Sequence, residues 1–231
     1  MLQAIQMMNK THDGIKVYTP LTLKLYDWWV LRISNQYAWK CSTERYLIPH
    51  FRNNMKSNHL DVGVGTGFYL KTIPDICNVS LMDLNTSSLS AASRRAGKGN
   101  IIASIQHDVF NPYPTHLHDR FDSLSMFYLL HCLPGEMQDK AVVIRHAAAA
   151  LTKAGCLYGA TILGDDVNHN AFGRKLMAVY NKKGIFSNRN DTVENLRSIL
   201  SDAFHEVEIT VEGKIALFKA ERKRANPELV D

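Results

Sequence analysis

A glycine-rich run constrains this chain more than any other feature of its sequence. It reads Leu60-Asp-Val-Gly-Val-Gly-Thr-Gly67, with glycines at positions 63, 65 and 67. Apolar residues on both sides of Asp61 predict a short buried strand over 59–62, and the residues after Gly67 predict the start of a helix. Glycine adopts positive φ and lets the backbone approach a ligand closely, while the first turn of a helix offers unpaired N–H groups. The run therefore predicts a ligand-binding turn between a strand and a helix.

The spacing of these glycines argues against a dinucleotide site. The dinucleotide pattern G-x-G-x-x-G, counted from Gly63, would need its third glycine where this chain has Phe68. An acid at the end of the strand, here Asp61, would also crowd a pyrophosphate bound at the helix N-terminus. A carboxylate suits a cationic ligand instead, such as the ammonium group of an amino acid.

The run resembles the glycine-rich motif of class I S-adenosylmethionine (SAM) dependent methyltransferases. This resemblance implies that the backbone of Gly63, Gly65 and Gly67 faces the amino-acid arm of SAM. It also implies that Asp61 contacts the ammonium group, directly or through water. The expected cofactor is therefore SAM, with S-adenosylhomocysteine as its product.

Two further acids each follow a predicted strand. Asp83 lies 22 residues after Asp61, close to the roughly 20-residue spacing at which an acid binds ribose hydroxyls, and we place Leu84 beside it in the cofactor site. The resemblance implies that Asp108 accepts a hydrogen bond from the adenine amino group and that the backbone of Val109 contacts the ring. The alternatives are a helix cap for Asp83 and an exposed loop acid for Asp108.

The segment Phe121–Pro134 resembles the fourth motif of the same family. The resemblance implies that this strand runs past the sulfonium, which places Phe127 at the cofactor and Tyr128 at the acceptor. His131 follows on the loop that faces the cofactor, and we predict it as a general base because histidine has an unperturbed pKa of about 6.5. The alternative is a histidine that shapes the pocket or caps a helix.

Predicted strands and helices alternate along the chain from residue 58 onward. This order predicts an α/β fold, a three-layer sandwich around a mostly parallel sheet. The expected helices include 66–76 after the glycine run and 135–151 after the fourth strand. Phe204–Val211 and Ile215–Ala220 predict a final hairpin, which resembles the antiparallel sixth and seventh strands of the methyltransferase sheet and implies seven strands.

The predicted domain boundaries follow from the same order. Residues 1–57 precede the first strand and have helical spacing, which resembles the N-terminal helical lid of many small-molecule methyltransferases. Residues 58–220 are the predicted SAM-binding domain, with a polar substrate-specificity insert at 164–190. Residues 221–231 are a charged tail.

Several aromatic and imidazole side chains are candidates for the acceptor site. Tyr18 and Trp29 lie in the aromatic-rich lid segment, and aromatic walls suit a planar acceptor and stabilise a sulfonium by cation–π contact. His169 lies in the predicted insert and joins Tyr128 and His131 as a substrate candidate. Neither H-x-x-x-H nor H-E-x-x-H spacing occurs, so we expect no metal site.

Composition bounds the compartment and the partners. The 231 residues are 45% hydrophobic and 21% charged, as in a globular protein. The sequence has no run of 18 apolar residues and no recognisable signal peptide, and its four cysteines are far apart, which predicts reduced thiols in the cytoplasm. The net charge is +5, but the basic residues are scattered, so we expect neither a nucleic-acid partner nor a membrane.

These features predict a cytoplasmic enzyme that transfers a methyl group from SAM to a small-molecule acceptor, in natural-product or other specialised-metabolite biosynthesis. The sequence leaves two alternatives open. The first is methylation of RNA or protein, motivated by the positive charge, and the second is a SAM-binding cyclase or regulator that transfers no methyl group. For the oligomeric state, the sequence is compatible with a homodimer as well as with a monomer. The acceptor atom cannot be read from the sequence, because closely similar folds serve different chemistries.

Overall fold

The computed structural model describes residues 27–73, 77–97, 100–164 and 167–225, with the backbone alone for 27–32. Its strands are β1 (Asn58–Val62), β2 (Asn78–Asp83), β3 (Ile101–Gln106), β4 (Phe121–Phe127), β5 (Leu151–Ile162), β6 (Phe204–Glu212) and β7 (Ile215–Lys223). They form one seven-stranded sheet with the order β3-β2-β1-β4-β5-β7-β6. Neighbours among the first five strands run parallel, whereas β7 lies antiparallel to β5 and β6. The predicted sheet and its closing hairpin are confirmed.

Helices cover both faces of this sheet. Among the described residues the α-helices are α1 (Ile48–Asn54), α2 (Thr86–Ala96), α3 (Ala141–Ala150), α4 (Ala171–Lys182) and α5 (Val193–Ala203). The buried residues of α3 and α5 belong to one core cluster, and those of α1, α2 and α4 belong to a second. Each face of a parallel sheet is thus buried against helices, as such sheets require, and the result is the predicted three-layer sandwich.

The sheet contains a switch point at its centre. β1 and β4 are neighbours, although β2 and β3 lie between them in the chain, so the strand order reverses there. Ligands of open α/β sheets bind outside the carboxyl ends of the strands at such a point. The glycine-rich run follows β1 and Tyr128 follows β4, so both lie at this crevice.

The prediction of a helix directly after the glycine run is wrong. The sequence predicted a helix over 66–76, but the described part of this range, 66–73, contains only a four-residue 3₁₀ turn, Tyr69–Thr72; residues 74–76 lie outside the described residues. Pro74 explains the difference, because the residue before a proline avoids helical angles, and Ile73 is extended with a ψ of 144°. The stretch between Gly67 and Pro74 is too short for two helical turns.

Two other boundaries differ from the prediction. The helix expected over 135–151 begins only at Ala141, and Leu151 instead opens β5, where it pairs with Phe121. β7 continues to Lys223, three residues beyond the end at Ala220 that the sequence predicted for this strand, because Lys223 pairs with Phe204 in β6. Pairing with a neighbouring strand places Leu151 and Lys223 in strands, and such pairing is not visible in local sequence.

The predicted insert at 164–190 contains a regular helix. Asn170 begins α4 by accepting a hydrogen bond at Oδ1 from the backbone N–H of Gly173 at 2.7 Å. Leu176 and Met177 form the buried side of this helix, which packs with the second core cluster. The insert is therefore a structured layer above the sheet.

The predicted lid segment packs into the core where the structure describes it. Two π-helical segments, Asp27–Ala38 and Thr43–Leu47, precede α1. Trp39 and Phe51 are buried, and the backbone carbonyl of Trp39 accepts a hydrogen bond from Lys214 N at 2.7 Å. Residues 1–26 lie outside the described residues. A long apolar helix able to cross a bilayer does not occur in the part of the chain that the structure describes.

Candidate functional site

The glycine run forms a tight loop with one open face. Gly63, Gly65 and Gly67 all have positive φ, at 73°, 52° and 69°. A β-carbon on Gly67 would lie 2.6 Å from Cα of Ala92, so this glycine allows α2 to pack against the loop. A β-carbon on Gly65 would meet no atom within 4 Å. The loop is therefore packed against protein at Gly67 and open at Gly65.

Two carboxylates lie beside this loop. Asp61 is buried and accepts a hydrogen bond at Oδ1 from Ser125 Oγ at 2.6 Å. Burial raises the pKa of Asp61 to about 7, the Ser125 hydrogen bond lowers it, and the charge of Asp83 raises it further. Asp83 accepts from Asn85 N at 2.8 Å and from Gly65 N at 3.4 Å, and burial raises its pKa as well. Two close acids with raised pKa values favour a cationic ligand.

The remaining residues predicted to bind cofactor lie at the ends of neighbouring strands. Leu84 follows Asp83 and is half-buried. Asp108 follows β3 and accepts at Oδ1 from Phe110 N at 3.0 Å, so it also holds its own loop. Val109 is buried, and its carbonyl accepts from His146 Nδ1 at 3.0 Å.

Tyr128, the first residue after β4, carries backbone strain. Phe127 ends β4, and its ring centroid lies 4.7 Å from that of Tyr69. Tyr128 has a φ of 60°, a value that non-glycine residues rarely adopt and that persists only where surrounding contacts maintain it. Two contacts hold it there: its N–H donates to Ala160 O at 2.8 Å, and its hydroxyl donates to Asn35 Oδ1 at 2.9 Å.

His131 is buried in a position that does not favour the predicted role of general base. The backbone N–H of Ile162 donates to its Nδ1 at 3.3 Å, so the proton of the neutral ring lies on Nε2. Burial, followed by the charge of Lys140, lowers the pKa of His131 to about 3. A base with so low a pKa accepts protons weakly at neutral pH. The geometry fits the alternative, a histidine that shapes the pocket.

An aromatic row connects His131 to the predicted insert. The ring of His131 lies 4.6 Å from that of Phe186, which lies 6.3 Å from Trp39. His169 lies edge-on to Trp39 at 5.8 Å and donates from Nε2 to Gly164 O at 2.8 Å. The structure therefore links His169 to the site through two other rings.

Two predicted substrate residues cannot be located in this way. Tyr18 lies outside the described residues. Trp29 lies in the first π-helical segment, where only the backbone is described.

A closing segment, defined as residues 184–191, crosses the carboxyl ends of β4 and β5. The Lys140 ammonium donates to Asp191 Oδ2 at 2.8 Å and to Ser187 O at 2.7 Å. Ser187 N donates to His131 O at 2.8 Å, and Asn188 Nδ2 donates to Ile162 O at 2.9 Å. These contacts hold Phe186 against His131.

Sequence reasoning missed several of these residues. Asn35, Phe186 and the pair of Lys140 and Asp191 lie in no recognisable motif, and Ser125 lies within the segment Phe121–Pro134 but is not one of the residues that the motif assigns to the cofactor. Only Ser125 could have been predicted from the sequence. It lies two positions before Phe127, and residues two apart on a strand share a face. Among the described residues, no three His, Cys, Asp or Glu side chains cluster closely enough to hold a metal ion.

This chain is similar to a family model over part of its length and to two other proteins over most of its length. A family model described as a methyltransferase domain matches residues 60–159. The chain is 57% identical to protein YbcY of Escherichia coli K12, over 83% of this chain and 99% of that protein. It is 42% identical to the physcion biosynthesis cluster O-methyltransferase of Aspergillus chevalieri, over 92% of this chain and 96% of that enzyme.

The fold is also similar to a solved structure, the N-methyltransferase NodS of Bradyrhizobium japonicum in complex with S-adenosylhomocysteine. The two share 16% sequence identity with a TM-score of 0.52, over 74% of this chain and 79% of NodS.

Proposed function

Because the chain belongs to the class I SAM-dependent methyltransferases, we propose that it methylates a small-molecule acceptor in the biosynthesis of a specialised metabolite. The observation that best supports this proposal is the open face at Gly65 beside the carboxylates of Asp61 and Asp83. The relative that is 42% identical over 92% of this chain is an O-methyltransferase of a biosynthesis cluster. Hydroxyl groups of small molecules are therefore the first acceptors to test.

SAM is the methyl donor of this family, and when bound it supplies a methyl group activated by a sulfonium leaving group. The residues that we propose to hold it are Asp61, Gly63, Gly65, Gly67, Asp83, Leu84, Asp108, Val109 and Phe127. The site suits a cation, because burial raises the pKa of both Asp61 and Asp83 and a positive charge beside them offsets their repulsion. The open face at Gly65 leaves room for the amino-acid arm.

We place the acceptor at the carboxyl end of β4, beside Tyr128 and His131. The strained Tyr128 and its hydrogen bond to Asn35 support this position. The aromatic row that includes Phe186 offers a wall for a planar acceptor. His169 contributes to this site through the row, and Tyr18 and Trp29 are proposed as further contacts from the sequence alone.

Methylation of a hydroxyl group releases a proton, and His131 is poorly suited to receive it. Its Nδ1 already accepts from Ile162 N, and its pKa is lowered to about 3. We therefore propose that the acceptor hydroxyl gives its proton to water, while His131 donates a hydrogen bond from Nε2 to the acceptor oxygen and orients it toward the methyl group. Orientation alone is effective, since well-aligned systems reach effective molarities of roughly 10⁵–10⁸ M.

The proposed location is the cytoplasm, with no nucleic-acid partner. The thiols of Cys41, Cys77, Cys132 and Cys156 are free, which supports a reducing compartment. The acceptor experiment below includes RNA and protein, so it tests the macromolecular alternative directly.

The test is a transfer assay with methyl-labelled SAM. Purified protein is incubated with separate panels of phenols, alcohols, amines and thiols, and with RNA and protein fractions. We expect a methylated small molecule and S-adenosylhomocysteine in equal amounts by mass spectrometry. Transfer to RNA or protein alone would contradict the proposal. SAM binding without any methylated product would instead support a cyclase or regulator.

A further inference from the structure

A buried chain of polar side chains joins β1 to β4 just before the glycine run. Its members are His59 and Asp61 on β1 and Ser123 and Ser125 on β4. The strand register pairs His59 with Ser123 and Asp61 with Ser125, so the four side chains lie on one face of the sheet. His59, Ser123 and Ser125 are fully buried, and Asp61 keeps 6% of its exposure.

The hydrogen bonds along this chain have one consistent direction. The backbone N–H of Lys56 donates to Ser123 Oγ at 2.8 Å, and the Ser123 hydroxyl can then donate to His59 Nδ1 at 2.8 Å. Because Ser125 gives its one hydroxyl proton to Asp61, its Oγ can only accept from the ring, and we therefore assign the His59 proton to Nε2, which lies 3.0 Å from Ser125 Oγ. Ser125 donates to Asp61 Oδ1 at 2.6 Å. The chain of donors ends on the carboxylate.

Two aromatic rings lie beside His59, in the middle of this polar chain. The ring of His59 lies 5.8 Å from Phe51 and 5.9 Å from Tyr158. Burial lowers the pKa of His59 to about 3, so the ring is neutral. Polar groups in such a setting polarise one another and strengthen their hydrogen bonds. Apolar side chains of the same shape would be about as stable, so stability alone does not account for the polar chain.

We propose that Ser125 and His59 are positioning residues that orient the Asp61 carboxylate toward the α-ammonium of SAM, an inference that rests on the role proposed above for Asp61. Ser125 occupies Oδ1, and among the described residues no other group donates to either oxygen of this carboxylate. Oδ2 is thus left for the ligand. His59 donates to Ser125 Oγ and so directs the serine proton toward Asp61. Because the histidine is neutral, it leaves the charge of the carboxylate available for the ammonium.

The test compares two ligands, S-adenosylhomocysteine and its desamino analogue, which lacks only the α-ammonium. Calorimetric titration of the full chain measures both dissociation constants in the wild-type protein and in Ser125→Ala and His59→Phe. We expect Ser125→Ala to weaken S-adenosylhomocysteine roughly tenfold and the analogue less than about twofold, since only the first ligand loses a charged hydrogen-bond partner. For His59→Phe we expect a smaller loss with the same selectivity.

Two controls separate positioning from simple disruption. Ser125→Thr keeps the hydroxyl group and should retain the wild-type preference for the ammonium. Ser80 is a buried serine on the neighbouring β2 and lies outside the polar chain. Ser80→Ala should therefore leave the ratio of the two dissociation constants unchanged.

The possible outcomes distinguish this inference from the assignment of Asp61. Equal losses for both ligands, or unchanged binding in both variants, would overturn the positioning role alone. Equal binding of the two ligands by the wild-type protein would overturn the assignment of Asp61 to the ammonium together with the positioning role. His59→Phe answers the question if Ser125→Ala does not fold, because phenylalanine suits the aromatic surroundings.

Discussion

Tyr128 donates a hydrogen bond from its hydroxyl group to Oδ1 of Asn35 at 2.9 Å, across 93 positions of the chain. Asn35 in turn donates from Nδ2 to Thr43 Oγ1 at 2.9 Å, and all three residues are buried. The φ of 60° at Tyr128 is costly for a non-glycine residue and persists only where surrounding contacts maintain it. The N-terminal segment and the end of β4 are therefore coupled at the proposed acceptor site.

Removing the Tyr128 hydroxyl group should weaken this coupling. Tyr128→Phe leaves Oδ1 of Asn35 buried without its donor, so we expect the free energy of unfolding to fall by about 1–3 kcal/mol. We also expect KM for the acceptor to rise more than the dissociation constant for SAM. Denaturant unfolding and steady-state kinetics measure the two effects. Tyr37→Phe is the control, because Tyr37 is 58% exposed; equal behaviour of the two variants would contradict the coupling.

A methyl group at Gly65 should block the cofactor. Gly65→Ala places a β-carbon in the open space of the loop, where no protein atom lies within 4 Å. Gly184→Ala is a matched control, because Gly184 also has positive φ, at 68°, and open surroundings. Both variants carry the same backbone cost of roughly 1–2 kcal/mol. By titration we expect S-adenosylhomocysteine affinity to fall at least about tenfold in Gly65→Ala only; similar losses in both would indicate strain instead.

Cofactor affinity should depend on pH through Asp61. The pKa of Asp61 is raised to about 7, chiefly by burial, and ammonium binding needs the ionised carboxylate. Affinity should therefore rise roughly tenfold between about pH 5.5 and about pH 7, while the ligand amine stays protonated. His59 and His131 do not titrate in this range, since the pKa of each is lowered to about 3. Asp61→Asn should bind weakly and keep only the smaller slope that Asp83 contributes, since burial raises the pKa of Asp83 as well. A full slope in that variant would exclude Asp61 as its source.

In the ligand-free protein, the same raised pKa makes the free energy of unfolding fall as the pH rises. The folded pKa of Asp61, about 7, exceeds the unfolded value of about 3.9, so the folded state holds this proton more tightly. The stabilisation from Asp61 is therefore fully present below about pH 4 and is lost as the pH rises through about 7. Denaturant unfolding across this range should show a slope that Asp61→Asn removes.

The ion pair of Lys140 and Asp191 should be essential to the closing segment. Both side chains are buried, at 0% and 1% exposure, so Lys140→Met leaves Asp191 as an uncompensated buried charge that costs roughly 3–5 kcal/mol. The double variant Lys140→Met with Asp191→Leu should recover much of this loss. Arg222 and Glu206 form an exposed pair at 69% and 53% exposure, and breaking it should cost less than about 1 kcal/mol. A double variant no more stable than Lys140→Met would refute this account.

Substitution of His131 distinguishes its two roles. A general base typically contributes about 10²–10⁴-fold to the rate, whereas a residue that orients the acceptor acts mainly through binding. For His131→Gln we expect KM for the acceptor to rise while kcat changes less than about tenfold. The pH profile of kcat/KM should have the same ionisations in the wild-type protein and in His131→Gln. A large loss in kcat at unchanged KM would restore the base role.

The order of elements and the positions of the key acids could be predicted from the sequence. Alternating strands and helices indicated the sheet and its closing hairpin, because hydrophobic periodicity and turn residues are local signals. Asp61 and Asp83 lie at the carboxyl ends of β1 and β2, Asp108 follows β3, and the carboxyl ends of parallel strands meet at one edge. The helix after the glycine run was predicted wrongly because the effect of Pro74 on Ile73 was not taken into account.

The candidate acceptor site was predicted less completely. His131 was identified by its place after the fourth strand, but its low pKa follows from burial and from Lys140, which the motif does not include. Phe186 lies in the insert and reaches His131 only because the closing segment folds back across β4 and β5. Asn35 is 93 positions from its partner Tyr128, and no local pattern links them.

The sequence by itself determined the fold class, the glycine loop and the acids at its strand ends, since these depend on periodicity, turn chemistry and spacing within short segments. Only the tertiary structure decided the protonation and orientation of those groups. Ser125 donates to Asp61 across 64 positions of the chain, and burial raises the pKa of Asp61. Burial and long-range hydrogen bonds exist only when distant strands are packed together, and they set the chemistry of the site.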